Sequence, residues 1–330
     1  MMVHNDWRPV ASLKTLQARA RMYASIRSFF EEKGVLEVDT PILSQRGVTD
    51  PALMAMKTEF NLPGSKSLSP FYLQTSPEFA MKRLLASGSG SIYQIFRAFR
   101  NEERGRFHHP EFTLLEWYRI GFDLLDLMVE VEELLRVLLD DHHAEIIARR
   151  VSYQELFHES LNLDPVASSL DEFACRASEL GVKDAYPLCG EDRSIWLDFL
   201  FSHFIQPALD PKKMTFVYHF PAILPSLARR VPGSPDWVER VELFMGGIEL
   251  ANGFHELADD AEQKLRFERD NQKRTSSGLP LMDLDERLLT ALMKGLPDCA
   301  GIALGLDRLL MVKLDLQSID ETLTFPIEIA

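Results

Sequence analysis

The chain has 330 residues, 46% of them apolar, so it can bury a large core in one or two domains. Fifty acidic against 36 basic residues give a net charge of −14, an unfavourable balance for gripping a polyanion over a broad surface, although a local basic patch is compatible with it. Cys175, Cys189 and Cys299 form neither a CxxC zinc signature nor a disulfide framework, and neither a bilayer-length apolar run nor a secretory leader is evident. The expectation is a cytoplasmic protein that does not engage a membrane.

In chain order, Ser12 caps a predicted helix running to about Lys33, with Leu13, Leu16, Ala20, Tyr23, Ile26 and Phe30 as its apolar stripe and Gly34 as its stop. A strand over 35–43 follows, its Pro41 implying an edge or an end. Residues 61–70 read as a polar loop, Phe71 to Gln74 as a short strand, and Phe79 to Ala86 as a helix with Pro77 in its first turn.

Phe96 to Tyr118 reads as two strands around a charged loop. Arg100 and Glu102 alternate at the end of the first strand. Phe112, Leu114, Glu116 and Tyr118 share a face of the second. An arginine and a carboxylate, a His-rich loop and an aromatic ring are the groups that holding ATP requires: phosphate neutralisation, reach to the tail, and stacking on adenine. A salt-bridged surface hairpin would carry the same short motif.

Asp123 to about Ala148 is a predicted long helix with His142 and His143 near its end, adjacent and therefore a poor metal pair. Residues 151–210 read as mostly helical, with capping-box spacing at Ser152…Glu155 and Ser169…Glu172. Thr215 to Phe220 is a strand running into the loop 221–225. Arg240 to Ala251 is a hairpin candidate turning at Gly246-Gly247. That turn sets Phe244 opposite Glu249 and puts Glu242 two residues away on the same face, so both carboxylates can reach one ion or two adjacent ions. A cation, Mg²⁺ or an arginine, has to lie between them. Asp260 to Arg274 and Asp283 to Lys294 are surface helices, and Gly301 to Gly305 is an apolar strand entering a helix near Asp307.

Three of these segments, GVLEVDTP, the RNE-to-LLEWY run and GIALGLDR, resemble in this order the three motifs of the class II aminoacyl-tRNA synthetases. With ELANGFHEL they are closest to the lysyl-tRNA synthetase subgroup. The core starts almost at once, after a tail of residues 1–11, without the N-terminal anticodon-reading domain of that subgroup. The chain is therefore similar to the stand-alone elongation factor P–(R)-β-lysine ligase family. The resemblance implies an α+β fold: a catalytic core over 12–330 of antiparallel sheet flanked by helices, with no anticodon domain and an insertion at about 151–210. It also implies a homodimer built on the first helix and strand, ATP and Mg²⁺ as cofactors, β-lysine as substrate, and elongation factor P rather than tRNA as acceptor.

Residue by residue, the resemblance assigns catalysis to Arg100, Arg308, Glu242 and Glu249, the last two as metal ligands. ATP contacts fall on Arg100, Asn101, Glu102, His108, His109, Phe112, Glu242, Leu243, Gly305 and Arg308. The amino acid falls to Ser76, Pro77, Glu78, Glu116, Tyr118, Glu249, Asn252, Phe254, Glu256 and Ala303. A diamino acid carries two ammonium groups and one carboxylate, which suits several glutamates and one arginine. Two departures stand out: the synthetases usually have alanine where Ser76 stands and glycine where Ala303 stands. A truncated lysyl-tRNA synthetase-like enzyme and a non-catalytic regulatory paralogue remain alternatives. The short N-terminus and Ala303 speak against the first, and the five intact residues Arg100, Glu102, Glu242, Glu249 and Arg308 against the second.

Overall fold

A computed structural model describes residues 7–60, 64, 69–139, 148–224 and 226–330. The elements begin with α1 (Leu13–Glu32), β1 (Leu36–Glu37), β2 (Leu43–Ser44), β3 (Lys57–Phe60), β4 (Ser69–Leu73), α2 (Glu78–Ala86), β5 (Ile92–Phe99), β6 (Glu111–Ile120) and α3 (Leu124–Leu138). They continue with β7 (Arg149–Ser152), α4 (Tyr153–Leu161), α5 (Leu170–Glu179), α6 (Tyr186–Cys189), α7 (Arg193–Leu200), β8 (Thr215–Pro221), β9 (Arg230–Val231), β10 (Ser234–Met245) and β11 (Ile248–His255). The last are α8 (Asp260–Ser276), α9 (Glu286–Lys294), β12 (Cys299–Gly305) and α10 (Leu306–Leu314). The chain divides into two compact units, Met1–Ala144 with Ala258–Ala330, and Glu145–Leu257.

In the first unit β5 and β12 flank β6 antiparallel, in registers that run Phe99↔Glu111 to Ile92↔Tyr118 and Gly305↔Leu114 to Cys299↔Ile120. β1 joins the outer edge of β5 parallel, so the sheet is mixed and not purely antiparallel as expected from the resemblance. Phe30 of α1 stacks on Tyr93 at 4.5 Å and lies 5.5 Å from Trp117, which anchors the helix under the sheet. A second sheet, β2-β4-β3, is antiparallel. Phe79 of α2 meets Phe267 of α8 at 5.7 Å.

The predicted strand 35–43 is two short strands in different sheets, because Pro41 offers no N–H to continue a ladder. Ser12 caps α1 as expected, accepting from Thr15 N. Its buried face is Thr15, Ala18, Met22, Ile26, Phe29 and Phe30, whereas Leu13 is 70% exposed and Ala20 is exposed, so the expected stripe is rotated at its N-terminal half. α3 starts at a capping box on Asp123 and ends at Leu138; the expected continuation through His142 and His143 lies outside the described residues, as do most of the predicted loop 61–70 and Pro225.

In the second unit β10 lies between β8 and β11, antiparallel to both, and β7 pairs parallel with β8. Gly246 and Gly247 both adopt positive φ, 64° and 76°, the geometry a two-residue hairpin turn needs. The helices α4 to α7 supply a core of their own, in which Tyr153, Phe157, Phe173, Trp196, Leu200 and Phe201 bury against Val217, Phe220, Val238 and Phe244 of the strands. Both predicted capping boxes, at Ser152 and Ser169, are formed. Among the described residues no helix is long and apolar enough to cross a membrane.

Candidate active site

The first unit gathers a polar cluster on the face of the β5–β6–β12 sheet opposite Trp117 and α1. Period-two alternation puts Phe112, Leu114, Glu116 and Tyr118 on one face of β6. Glu116 is 2% exposed and holds both oxygens in hydrogen bonds: the Tyr118 hydroxyl donates to Oε1 at 2.8 Å and the Ser76 hydroxyl to Oε2 at 2.8 Å. Ser76 accepts in turn from Glu78 N at 3.0 Å, so the turn before α2 is tied to the sheet. Ala303 is the direct cross-strand partner of Glu116. The two residues that depart from the synthetase pattern thus converge on one carboxylate.

Burial, then the charge of Glu78, push the Glu116 carboxyl up to about 7, against the lowering effect of Tyr118, Ser76 and Lys82. Lys82, one helical turn after Glu78, is 1% exposed and donates to Glu78 Oε1 at 2.7 Å. The sequence reading missed Lys82; its i, i+4 spacing from Glu78 was the available signal. Pro77 occupies the N-cap position of α2, before Glu78.

The nucleotide candidates lie around the β5–β6 loop. β5 stops at Phe99, so Arg100 and Glu102 are not strand residues as alternation suggested: Arg100 N donates to Pro110 O, Asn101 N to Met54 O at 2.7 Å, and Glu102 adopts φ 67° in a turn. The Arg100 guanidinium lies 5.0 Å from the Phe112 ring centroid. Its Nη1 is 3.4 Å from Glu103, while its Nε is buried without a hydrogen-bond acceptor among the described residues. That leaves a donor suited to an anion. Arg308, in the first turn of α10 after Gly305, donates to Phe107 O at 3.1 Å and lies 2.8 Å from His108 Nε2.

His109 departs from its expected place on a phosphate-facing loop. It is 4% exposed, with Nδ1 2.6 Å from Glu111 O and Nε2 accepting from Ile327 N at 2.9 Å. Both ring nitrogens are engaged by backbone, so it braces the loop end and His108 is the histidine that meets Arg308. Asp307, for which sequence reading gave no role, is 1% exposed and clamps three elements: it accepts from Arg19 of α1 at 2.5 Å and from Thr113 N of β6 at 2.6 Å.

The second unit holds the other carboxylates. Phe244 pairs with Glu249 as the turn predicts, and a bulge between Leu243 and Phe244 sets Glu242 opposite Asn252. Arg240, on the same strand face, donates to Glu242 Oε1 at 2.5 Å. The cation that the pair requires is therefore supplied in part by the chain. Burial raises the Glu242 carboxyl to about 7, with Arg240 opposing and Glu249 adding to the rise. A net shortage of positive charge remains around two hard oxygen donors, which fits a divalent cation. Among the described residues no group of three or more His, Cys, Asp or Glu gathers as a metal cluster, so the metal reading rests on this pair.

Asn252 Oδ1 is buried without a partner among the described residues, an acceptor available to a ligand amine. Phe254 packs against the helical core, Glu256 is 2% exposed, and the Leu243 side chain is fully buried, which leaves the backbone of Leu243 as the part able to meet a ligand.

Residues 3–329 match the tRNA synthetases class II (D, K and N), and the chain belongs to that family. The similarity narrows further. The chain is 49% identical over 325 residues to the elongation factor P–(R)-β-lysine ligase of Photobacterium profundum, covering 98% of this chain and 99% of that one. Ligases of the same name from Vibrio vulnificus and Proteus mirabilis are 48% identical over 326 residues and 46% over 322, each across 98% of this chain and at least 98% of the relative. Within the class II synthetases, the chain is a member of the elongation factor P–(R)-β-lysine ligase family.

Proposed function

We propose that this enzyme activates (R)-β-lysine with ATP as an aminoacyl-adenylate and transfers it to a lysine side chain of elongation factor P. The observation that carries the substrate class is the buried group Ser76–Glu116–Tyr118 beside Glu78–Lys82: a carboxylate held near neutrality, ready to meet an ammonium group.

In the first step a carboxylate oxygen of the amino acid attacks the α-phosphorus and the bond to pyrophosphate breaks. Arg100 neutralises the attacking carboxylate and the α-phosphate. Glu102 and Asn101 lie at the adenine end with Phe112 as stacking surface, and Arg308 with His108 holds the phosphate tail. Glu242 and Glu249 would hold Mg²⁺, which neutralises phosphate charge when bound. Glu116, Tyr118, Glu78, Asn252 and Glu256 orient the two amines. No side-chain nucleophile is required, because positioning and electrostatics suffice for displacement at phosphorus. In the second step the acceptor amine attacks the adenylate carbonyl, the C–O bond to AMP breaks, and the amine releases a proton.

The same reading makes residues 12–330 one catalytic domain, its helices near 151–210 an insertion, α1 and β1 a homodimer contact, and the cytoplasm the site of action. The relatives' names favour it over a tRNA-charging enzyme. ATP–pyrophosphate exchange with lysine isomers, paired with labelling of elongation factor P and of tRNA(Lys), tests it. β-Lysine should support faster exchange than α-lysine, and only the protein acceptor should be labelled; comparable charging of tRNA overturns the proposal.

A further inference from the structure

The loop from β5 to β6 carries Glu102 and His108, both assigned above to ATP, and its backbone does not keep that shape unaided. Glu102 sits at φ 67°, a left-handed conformation that a non-glycine residue keeps only where its surroundings impose it. The tip is closed by Gly105 N donating to His108 O at 3.0 Å, with a longer return bond from His108 N at 3.3 Å. Three further residues of the loop, Arg104, Arg106 and His109, are tied to one place, the C-terminal segment 317–328.

Arg104 makes the strongest of these ties. Its Nε donates to Glu328 Oε1 at 2.6 Å and its Nη2 to Asp320 Oδ2 at 2.8 Å. Arg106 Nε donates to Gln317 O at 2.8 Å, and its own carbonyl accepts from Ile319 N at 2.9 Å. Ile327 N donates to the His109 ring at 2.9 Å. The segment that receives the loop is itself fixed. A capping box of Ser318 and Glu321 closes the short 3₁₀ turn Ile319–Thr322, and Ile319 and Thr322 are 2% and 1% exposed. Arg19 of α1 donates to Thr322 O at 2.9 Å.

An exposed ion pair contributes little to stability, and Arg104 with Glu328 alone, half-exposed as that carboxylate is, would be such a pair. Asp320 differs. Its Oδ1 is buried without a hydrogen-bond partner among the described residues, so its charge depends on Arg104 through Oδ2. A planar guanidinium meets the two carboxylates along separate N–H directions, which fixes its orientation and the chain at residue 104. A lysine there would be a point charge without that fork. The fixed point lies two residues after Glu102, where the strained backbone needs it.

We propose that segment 317–328 is a clasp that holds the β5–β6 loop in its ATP-binding form, with Arg104 as the positioning residue that locks it. Arg104 is committed to two carboxylates, so it acts through Glu102 and His108 and not on the nucleotide itself. The inference rests on the ligase reading above, which gives this loop to ATP, and it adds the C-terminal segment to what determines ATP affinity.

Steady-state ATP–pyrophosphate exchange on the full chain, with ATP and β-lysine varied in turn, tests it. Arg104→Ala should raise the KM for ATP about tenfold and leave the KM for β-lysine within about twofold, because only the nucleotide side is loosened. Arg104→Lys should recover part of the loss. Asp320→Asn combined with Glu328→Gln should reproduce the rise, and adding both to Arg104→Ala should change nothing more. Glu328→Gln alone, at an exposed position, should give a smaller rise. The proposal is overturned if the KM for ATP is unmoved in Arg104→Ala or in the paired carboxylate variant, if both KM values rise together, or if Arg104→Lys is as impaired as Arg104→Ala. A lower KM for ATP in Glu328→Gln also overturns it, since the released Arg104 would then be binding phosphate directly. Wild-type protein without β-lysine-dependent exchange overturns the ligase reading itself, and this inference with it; wild-type exchange with an unmoved KM for ATP in the variants overturns this inference alone.

Discussion

Glu116 in the first unit and Glu242 in the second are both deeply buried carboxyls raised to about 7 by burial, yet their surroundings solve the problem differently. Glu116 is met by two neutral hydroxyls, from Ser76 and Tyr118, and the nearest built-in cation, Lys82, is committed to Glu78. Glu242 is met directly by the guanidinium of Arg240 while Glu249 repels it. Hydroxyls can hold a carboxyl in either protonation state, so the Glu116 pocket is suited to exchange a proton for a substrate ammonium. A guanidinium favours the charged form but is outweighed here by burial and Glu249, so a bound metal ion would add the positive charge that draws the Glu242 carboxyl into its ionised form.

The largest expected effect tests the second half of that contrast. Glu249→Gln or Glu242→Gln should lower ATP–pyrophosphate exchange by about a hundredfold or more, on the order of 3 kcal/mol of transition-state stabilisation. The loss should be deepest at limiting Mg²⁺. Exchange that is unchanged at limiting Mg²⁺ would remove both residues from the metal assignment and leave Arg240 as the pair's cation.

The next effect tests the first half through pH. The Glu116 carboxyl stands at about 7 in the folded chain against an ordinary 4.5. Between those values the folded protein keeps a proton that the unfolded chain has released, so stability falls as pH rises through that window, by about 3 kcal/mol in all. Glu116→Gln should abolish this part of the slope, as read from denaturant midpoints at pH 5 and pH 8. Bound diamino substrate should flatten it too, because its ammonium replaces the proton. An identical slope in Glu116→Gln would mean that hydroxyl donors already keep Glu116 ionised.

What the sequence made legible follows the range of the forces involved. The boxes at Ser152…Glu155 and Ser169…Glu172 and the Gly246-Gly247 turn involve neighbours in the chain, and all three form as read. The Phe244↔Glu249 register follows from that turn. The face of α1 is turned in its N-terminal half, where Arg19 reaches Asp307 and Thr322 O, and the burial of His109 depends on Ile327; these partners are more than 200 residues away. The split of 35–43 has a local signal in Pro41, but the two sheets its halves join, through Tyr93 and Leu73, are not written near it. Lys82 and Arg240 lay within four residues of recognised glutamates and were still missed. A lysine or arginine beside a glutamate reads as a surface pair until burial is known.

The smallest effect bears on Ser76 and Ala303, which meet at Glu116 from opposite sides: one by a 2.8 Å hydrogen bond, the other across the β6–β12 ladder. Ala303→Gly removes one methyl beside the carboxylate. α-Lysine should then gain on β-lysine in adenylation by about 1–2 kcal/mol, roughly ten- to thirtyfold, since one methyl changes and the glutamates stay in place. Ser76→Ala removes a donor from Glu116 and an acceptor from Glu78 N, so the freed carboxylate oxygen should turn to the substrate amine and shift selectivity in the same direction. Because both substitutions act on one carboxylate, the double variant should show less than the sum of the two shifts. Steady-state exchange with both isomers on the two single variants and the double decides it: strict additivity would mean that the residues act on different parts of the substrate, and an unmoved preference would mean that isomer choice is made away from Glu116.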